Sequence, residues 1–295
     1  VSDKGTVFRI SPSGTFTNLY SFSGGSDGAN PEAGLVQGSD GDFYGTTYSG
    51  GTSNHGTVFK MTASGSFTNL YSFRGGDGAN PRAALVQGGD GYFYGTTTYG
   101  GNSCGCGTIF KISPSGVFTN LYSFNGDDGC NPYAGLVQGS DGNFYGVTYD
   151  GGAFRSGSVF KMRASGTLTN LYSFADLDGA DPDGGLVQGS DGNFYGTTAY
   201  GGTSEDGTVF KLTVPLNPPA NQISAFQISG NDIAVSIPSV AGETYQLQFT
   251  ADLKSGIWSN IPGVSITNSI GGPLTLTNFG GALGAQGFYR FAITP

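Results

Sequence analysis

The sequence predicts an all-β chain, a β-propeller of about four four-stranded blades followed by a small β-sandwich. Three observations carry that prediction. Blocks of the type GLVQGSDGNFYGTT, GTVFK and TNLYSF recur in fixed order at a spacing of 50 or 51 residues, up to residue 213. A fixed period of this size marks a repeat architecture. The 295 residues include 54 Gly, 22 Phe and 16 Tyr, the mixture expected of short strands joined by tight turns. No repeat segment carries a helical period with caps.

Each period divides into four strands. Strand A is the Gly-Leu-Val-Gln-Gly run and strand B the Phe-Tyr-Gly-Thr-Thr run. Asp-Gly joins them at Asp40, Asp90, Asp141 and Asp191. Asp-Gly between apolar runs is a strong hairpin signal, because Gly accepts positive φ and Asp caps its own turn. Strand C is the Gly-Thr-Val-Phe-Lys run, beginning at Gly5, Gly56, Gly107, Gly157 and Gly207. Ser-Gly turns link it to strand D, in which Phe67, Asn69, Tyr71 and Phe73 alternate with Thr68, Leu70 and Ser72. Strands A, B and D occur four times and C five times. Four blades then follow if the last A-B-C set closes a ring by pairing with the first D strand. The first C strand, residues 5–10, is left over, to cap an edge, add to a neighbouring molecule or continue upstream repeats. Residue 1 falls inside a motif, which fits a removed leader or a piece of something longer.

The repeat domain is placed at residues 1–214. Residues 215–221, Pro-Leu-Asn-Pro-Pro-Ala-Asn, read as a stiff linker. Residues 222–295 show a different alternation, with strands predicted at 223–228, 233–237, 244–250, 274–277 and 288–293. Trp258, the single Trp, is expected in the core of that module.

Charge excludes some functions. With 12 Lys+Arg and a net charge of −9, no basic footprint for nucleic acid exists. No apolar run is long enough to span a membrane as a helix. His55 is the single histidine, so an imidazole metal cluster is ruled out within one chain. Three cysteines without a Cys-x-x-Cys pair argue against zinc. No cofactor or metal is expected.

The combination of GLVQGSDGNFYGTT, GTVFK and NLYSF, with DGANP between copies, resembles the GloVer tandem-repeat family across about Gly5–Thr213. The resemblance implies a secreted or surface-anchored bacterial protein with propeller-like repeats. It transfers no catalytic residue. The tail, with Tyr245-Gln-Leu-Gln-Phe-Thr and Phe288-Tyr-Arg, resembles a β-module at the C-termini of large secreted bacterial proteins.

Candidate ligand contacts sit where the repeats differ. The B–C and D–A loops leave one face of such an array and vary, while the A–B and C–D turns leave the other and do not. Glu32, Arg82, Tyr133 and Asp183 follow the Pro that opens strand A and are expected around the mouth of a central channel. His55 and Arg155 come from B–C loops. Tyr99 and Tyr200 end B strands and are candidates to stack on sugar, against the more ordinary expectation that Tyr48, Tyr99, Tyr149 and Tyr200 pack blades. Glu32 with Asp183 is the carboxylate pair a glycosidase would need. His55 would serve a lyase as base, although an incidental loop His is the simpler account. Asp27, Asp77, Asp128 and Asp178 are expected to cap turns rather than bind calcium. Cys130 is expected to pair with Cys104 or Cys106, since both loops lie on one face.

The functional expectation from sequence is a secreted, non-catalytic binding or scaffold module that takes a polysaccharide or other glycan. The alternatives are a polysaccharide-degrading lyase or hydrolase, and a subunit that self-associates through residues 5–10. An acid or base with a shifted pKa in a cleft would mark the enzyme.

Overall fold

A computed structural model describes residues 3–213, 225–229, 232–239, 244–250, 259–267, 272–278 and 288–294. The chain forms two compact units, Val1–Val214 and Pro215–Pro295. The linker at 215–221 and Trp258 lie outside the described residues.

The first unit is an all-β, propeller-type array of antiparallel sheets. It begins with a hairpin, β1 (Thr6–Ile10) and β2 (Phe16–Ser21). Three four-stranded blades follow. They are β3 (Val36–Gln37), β4 (Phe43–Thr47), β5 (Thr57–Met61) and β6 (Phe67–Ser72); β7 (Val86–Gln87), β8 (Phe93–Thr97), β9 (Thr108–Ile112) and β10 (Phe118–Ser123); and β11 (Val137–Gln138), β12 (Phe144–Thr148), β13 (Ser158–Met162) and β14 (Leu168–Ser173). A three-stranded sheet ends the unit, with β15 (Val187–Gln188), β16 (Phe194–Thr198) and β17 (Thr208–Leu212).

Strand A is shorter than its apolar run, because only Val and Gln join the ladder. The Leu before them turns inward over the Gly of strand B. A Cβ on Gly146 would lie 2.5 Å from Phe160 Cζ and 3.0 Å from Leu136 Cδ2, so the strand B glycine makes room for two core side chains. Blades then hold their neighbours by stacked rings. Tyr44 stacks on Phe93 at 3.8 Å, Tyr94 on Phe144 at 4.0 Å and Tyr145 on Phe194 at 4.1 Å. Further out, Tyr20 stacks on Phe67 at 4.1 Å and Tyr71 on Phe118 at 3.9 Å. Each such pair contributes about 1 kcal/mol beyond its buried area. Polar contacts repeat as well: the backbone N–H of Ser39 donates to Gln87 at 2.9 Å, and that of Ser140 to Gln188 at 3.0 Å.

The expected ring closure is corrected. Strand β2 pairs with β1, and the sheet of β15, β16 and β17 has no fourth strand among the described residues. Phe16, Thr17 and Asn18 face Ile10, Arg9 and Phe8 across a short turn. Closing that short loop costs far less chain entropy than bringing β17 to the same edge from about 190 residues away. The first C strand is therefore not left over; it takes the partner that closure would need.

The second unit contains two three-stranded antiparallel sheets. One is β18 (Ala225–Ser229), β19 (Asp232–Ser239) and β22 (Gly272–Asn278). The other is β21 (Ser259–Thr267), β20 (Thr244–Thr250) and β23 (Phe288–Thr294). Strand β21 was not expected from the sequence, and it contains Pro262-Gly263. The ladder absorbs it with a register shift opposite Gln246 and Gln248, on an edge strand where Pro is tolerated.

Candidate active site

The loop face is built on one residue per repeat. Asn30, Asn80, Asn131 and Asp181 all adopt the left-handed conformation, with φ of 56°, 57°, 56° and 56°. Short Asx side chains tolerate that region. In this geometry each residue's N–H reaches back to the preceding B–C loop. Asn80 donates to the His55 carbonyl at 2.8 Å, Asn131 to Cys106 at 2.8 Å and Asp181 to Ser156 at 3.0 Å. Every D–A loop is thus clamped to its neighbour's B–C loop, and the next residues are presented at fixed positions.

Three of the four residues that follow the Pro come together. Arg82 Nε lies 3.1 Å from Glu32 Oε2. The Arg82 guanidinium lies 5.1 Å from the Tyr133 ring centre and 5.5 Å from that of Tyr48, so it sits beside two aromatic rings. Glu32 holds its pKa above the ordinary arginine range. The Tyr133 ring lies 4.8 Å from that of Tyr149. Burial and a hydrogen bond with Tyr99 push the Tyr133 phenol up to about 12.

Beyond Tyr149 the belt becomes acidic. The Tyr149 phenol lies close enough to Asp181 for each to shift the other's pKa. Burial, then the charge of Asp176, raises the Asp181 pKa, while the Tyr149 hydroxyl opposes the shift. Asp150 is raised by burial and then by the charge of Asp181. Asp176 accepts a hydrogen bond from Ser156 Oγ at 2.5 Å. A cleft of about 400 Å³ opens here, lined by Arg155, Asp176, Asp181, Tyr200 and Glu205 among others. Asp181 lines this cleft, and Asp150, half-buried in the neighbouring loop, is close enough to feel its charge; two such interacting carboxyl groups can divide acid and base roles.

The structure thus gathers Glu32, Arg82, Tyr133 and Tyr99 in the belt, and Arg155 and Tyr200 in the cleft. Asp183 is exposed and shares none of these contacts with Glu32; the carboxyl groups that perturb each other here are Asp150 and Asp181. His55 stands apart: its carbonyl clamps Asn80, and its ring faces the glycine turn at Gly75. Blade packing falls to the Tyr inside strand B, such as Tyr94, and not to the strand-end Tyr99 and Tyr200, which are 40% and 57% exposed. Sequence reasoning missed Asp150 and Asp181. The signal for Asp181 was a carboxylate standing where the other three repeats carry Asn.

The Asp27 series serves turns. Asp77 accepts from the Arg74 N–H at 2.8 Å and from the Tyr71 hydroxyl, and Asp128 accepts from Asn125 N–H at 3.0 Å and from Tyr122. The sulfurs of Cys104, Cys106 and Cys130 all lie within 4.8 Å of one another. Cys106 is in bonding contact with both others. A sulfur forms one disulfide, so the three support one bond and leave one thiol. Cys130 pairs its backbone with that of Asp150, at 2.7 and 3.0 Å.

The model of the Gloeobacter/Verrucomicrobia repeat matches residues 1–128 and 88–246, which together cover most of the chain. The chain belongs to that repeat family. No curated protein matches it in sequence. Among solved structures, a gluconolactonase from Xanthomonas campestris is 13% identical over 78% of this chain and 75% of its own, with a TM-score of 0.44. A periplasmic gluconolactonase from Pseudomonas aeruginosa is 16% identical over 91% and 79%, with a TM-score of 0.39. An α-L-arabinofuranosidase from Clostridium thermocellum is 16% identical over 71% and 82%, with a TM-score of 0.37. These likenesses concern fold. All three structures are enzymes, and in this chain one raised carboxyl, Asp181, lines a cleft with a second, Asp150, within reach of its charge. The expectation of a non-catalytic binding or scaffold module is therefore corrected.

Proposed function

We propose that this chain is a carbohydrate-active enzyme that cleaves a glycan by acid–base chemistry on its loop face. The observation that carries the reading is the raised pair, Asp150 and Asp181. When two acids interact, one keeps its proton longer. The Tyr149 hydroxyl stabilises ionised Asp181, and the charge of Asp181 in turn keeps Asp150 protonated. Asp150 then donates a proton to the departing sugar oxygen, while Asp181 serves as the ionised base or nucleophile. Tyr133 and Arg82 supply a ring face and a cation for sugar hydroxyl or carboxylate groups. The three-sulfur cluster suits an oxidising compartment, which favours action outside the cytoplasm.

A panel of neutral and acidic polysaccharides tests the reading. Asp150→Asn is expected to lose about 10²- to 10⁴-fold on polysaccharide. It recovers much of that on aryl glycosides whose leaving group needs no proton. Asp181→Asn loses activity on both. Full activity in both variants would end the proposal.

A further inference from the structure

In each complete blade, strand D covers strand C and its first residue reaches the preceding blade. Phe67 stacks on Tyr20 and Phe118 on Tyr71, at 4.1 and 3.9 Å. At the third junction Leu168 takes the place of the Phe, beside Tyr122, and the fourth, between the last complete blade and the final sheet, lacks this cover. Strand β17 pairs with β16 on one side and has no partner on the other among the described residues. Its Val209 is 81% exposed, whereas the equivalent Val58, Ile109 and Val159 are at most 1% exposed. Tyr172, the counterpart of Tyr20 and Tyr71, has no stacked mate and is 45% exposed. Between them lies a groove of about 280 Å³ lined by Tyr172, Phe174, Asp178, Phe210, Lys211 and Leu212.

We infer that this edge is an interaction site for a second copy of the same chain, whose β2 strand leaves its own β1 and adds to β17 as its fourth strand. Three internal copies define what the groove accepts: an extended Phe/Leu-Thr-Asn-Leu-Tyr-Ser segment, antiparallel to strand C. This chain carries that segment four times. In β6, β10 and β14 it is locked into a complete sheet, but in β2 it is held by a two-stranded hairpin. One side of that hairpin is poorly covered, with Phe8, Ile10 and Phe16 exposed by 56–62%, while Val7, Tyr20 and Phe22 on the other side pack on the first blade and are the contacts an exchange must give up. The sequences of β1 and β17, TVFRI and TVFKL, are near-equivalent partners. The register of the hairpin transfers directly. Thr208 faces the second copy's Ser21, Phe210 its Asn18 and Leu212 its Phe16, as Thr6, Phe8 and Ile10 do within one chain. The incoming Phe16 ring then stacks on Tyr172. Main-chain bonds supply affinity, and the side-chain pockets supply selectivity. The contact is head-to-tail, so it propagates unless it closes.

Sedimentation velocity over a concentration series tests this, with the eight-residue peptide of residues 15–22 as competitor. Association that rises with concentration is expected, and excess peptide reverses it. Val209→Lys, at an exposed position, weakens both association and peptide binding at least tenfold without moving the melting midpoint. A peptide carrying Phe16→Ala competes at least tenfold less well. A monomer at every concentration overturns the second copy as occupant, whether or not peptide binds. Association indifferent to Val209→Lys and to the peptide overturns it equally.

Discussion

The junction at Asn131 and the junction at Asp181 share a backbone and differ in chemistry. Both residues have φ of 56°, and both donate their N–H to the B–C loop behind them. At the first, the Asn131 amide also donates to the Thr98 carbonyl at 3.0 Å, as Asn80 does to Tyr48 at 2.9 Å. At the second, a carboxylate cannot donate and instead sits near the Tyr149 phenol, within reach of the charges of Asp150 and Asp176. One oxygen in place of one NH₂ turns a structural clamp into an acid whose pKa is raised by burial. The frame stays constant while a single position changes its chemistry, and on the proposed function this is how a repeat protein acquires a site without redesigning a blade.

The comparison yields predictions in order of expected size. Loss of Asp150 or Asp181 removes activity by orders of magnitude, as stated above, and the pH–rate profile of the parent enzyme has its acidic limb above the ordinary carboxylate value of 3.8. An acidic limb at or below that value would separate these residues from the chemistry. Arg82→Ala leaves both acids in place and raises KM roughly tenfold, about 1.4 kcal/mol of binding, with kcat less affected.

Stability moves in opposite directions at the two junctions. Burial that raises a carboxyl pKa favours the protonated form. This contribution to folding is therefore fully present below the ordinary carboxylate range and is lost as pH rises through the raised value. Asn mimics the protonated acid, so Asp181→Asn stabilises the first unit near neutral pH by about 1 kcal/mol, or about 3 °C in midpoint. The gain disappears in acid. Asn131→Asp does the reverse, costing about 1 kcal/mol near neutral pH through the lost bond to Thr98. Calorimetry at pH 7 and pH 3 checks both signs. The smallest effect is chemical: denatured, oxidised protein should show one titratable thiol per chain. Cys104→Ala should remove that thiol by leaving Cys106 bonded to Cys130, and a persistent thiol would contradict it.

Much of the frame was legible in the sequence because its signals are local. Asp-Gly turns, the alternation in strand D and the 50-residue period each constrain a few neighbouring residues. What failed depended on competition between distant segments. Ring closure required β2 to prefer β17 over β1, and a count of strands carries no information about that choice. Strand β21 was also missed; it contains Pro262-Gly263, and only its edge position permits that pair. At the site, residues after the Pro were found from their variability, and Glu32, Arg82 and Tyr133 do meet. Asp183 was chosen by the same rule and misses, because exposure rather than repeat position decides what a side chain touches. The two acids were missed because an Asn-to-Asp change looks conservative until its neighbours are known.

The rings that stack blade on blade have a mechanical corollary. Each sheet grips only the sheets before and after it, so the array is a row of nearest-neighbour contacts with no rivet running through the whole. Pulled by its ends, such a row gives way one sheet at a time. Each step releases roughly 50 residues, or about 170 Å of extended chain. Tension would be shed at the incompletely covered margins first, and the acids, seated between the third blade and the last sheet, lie one step from that margin.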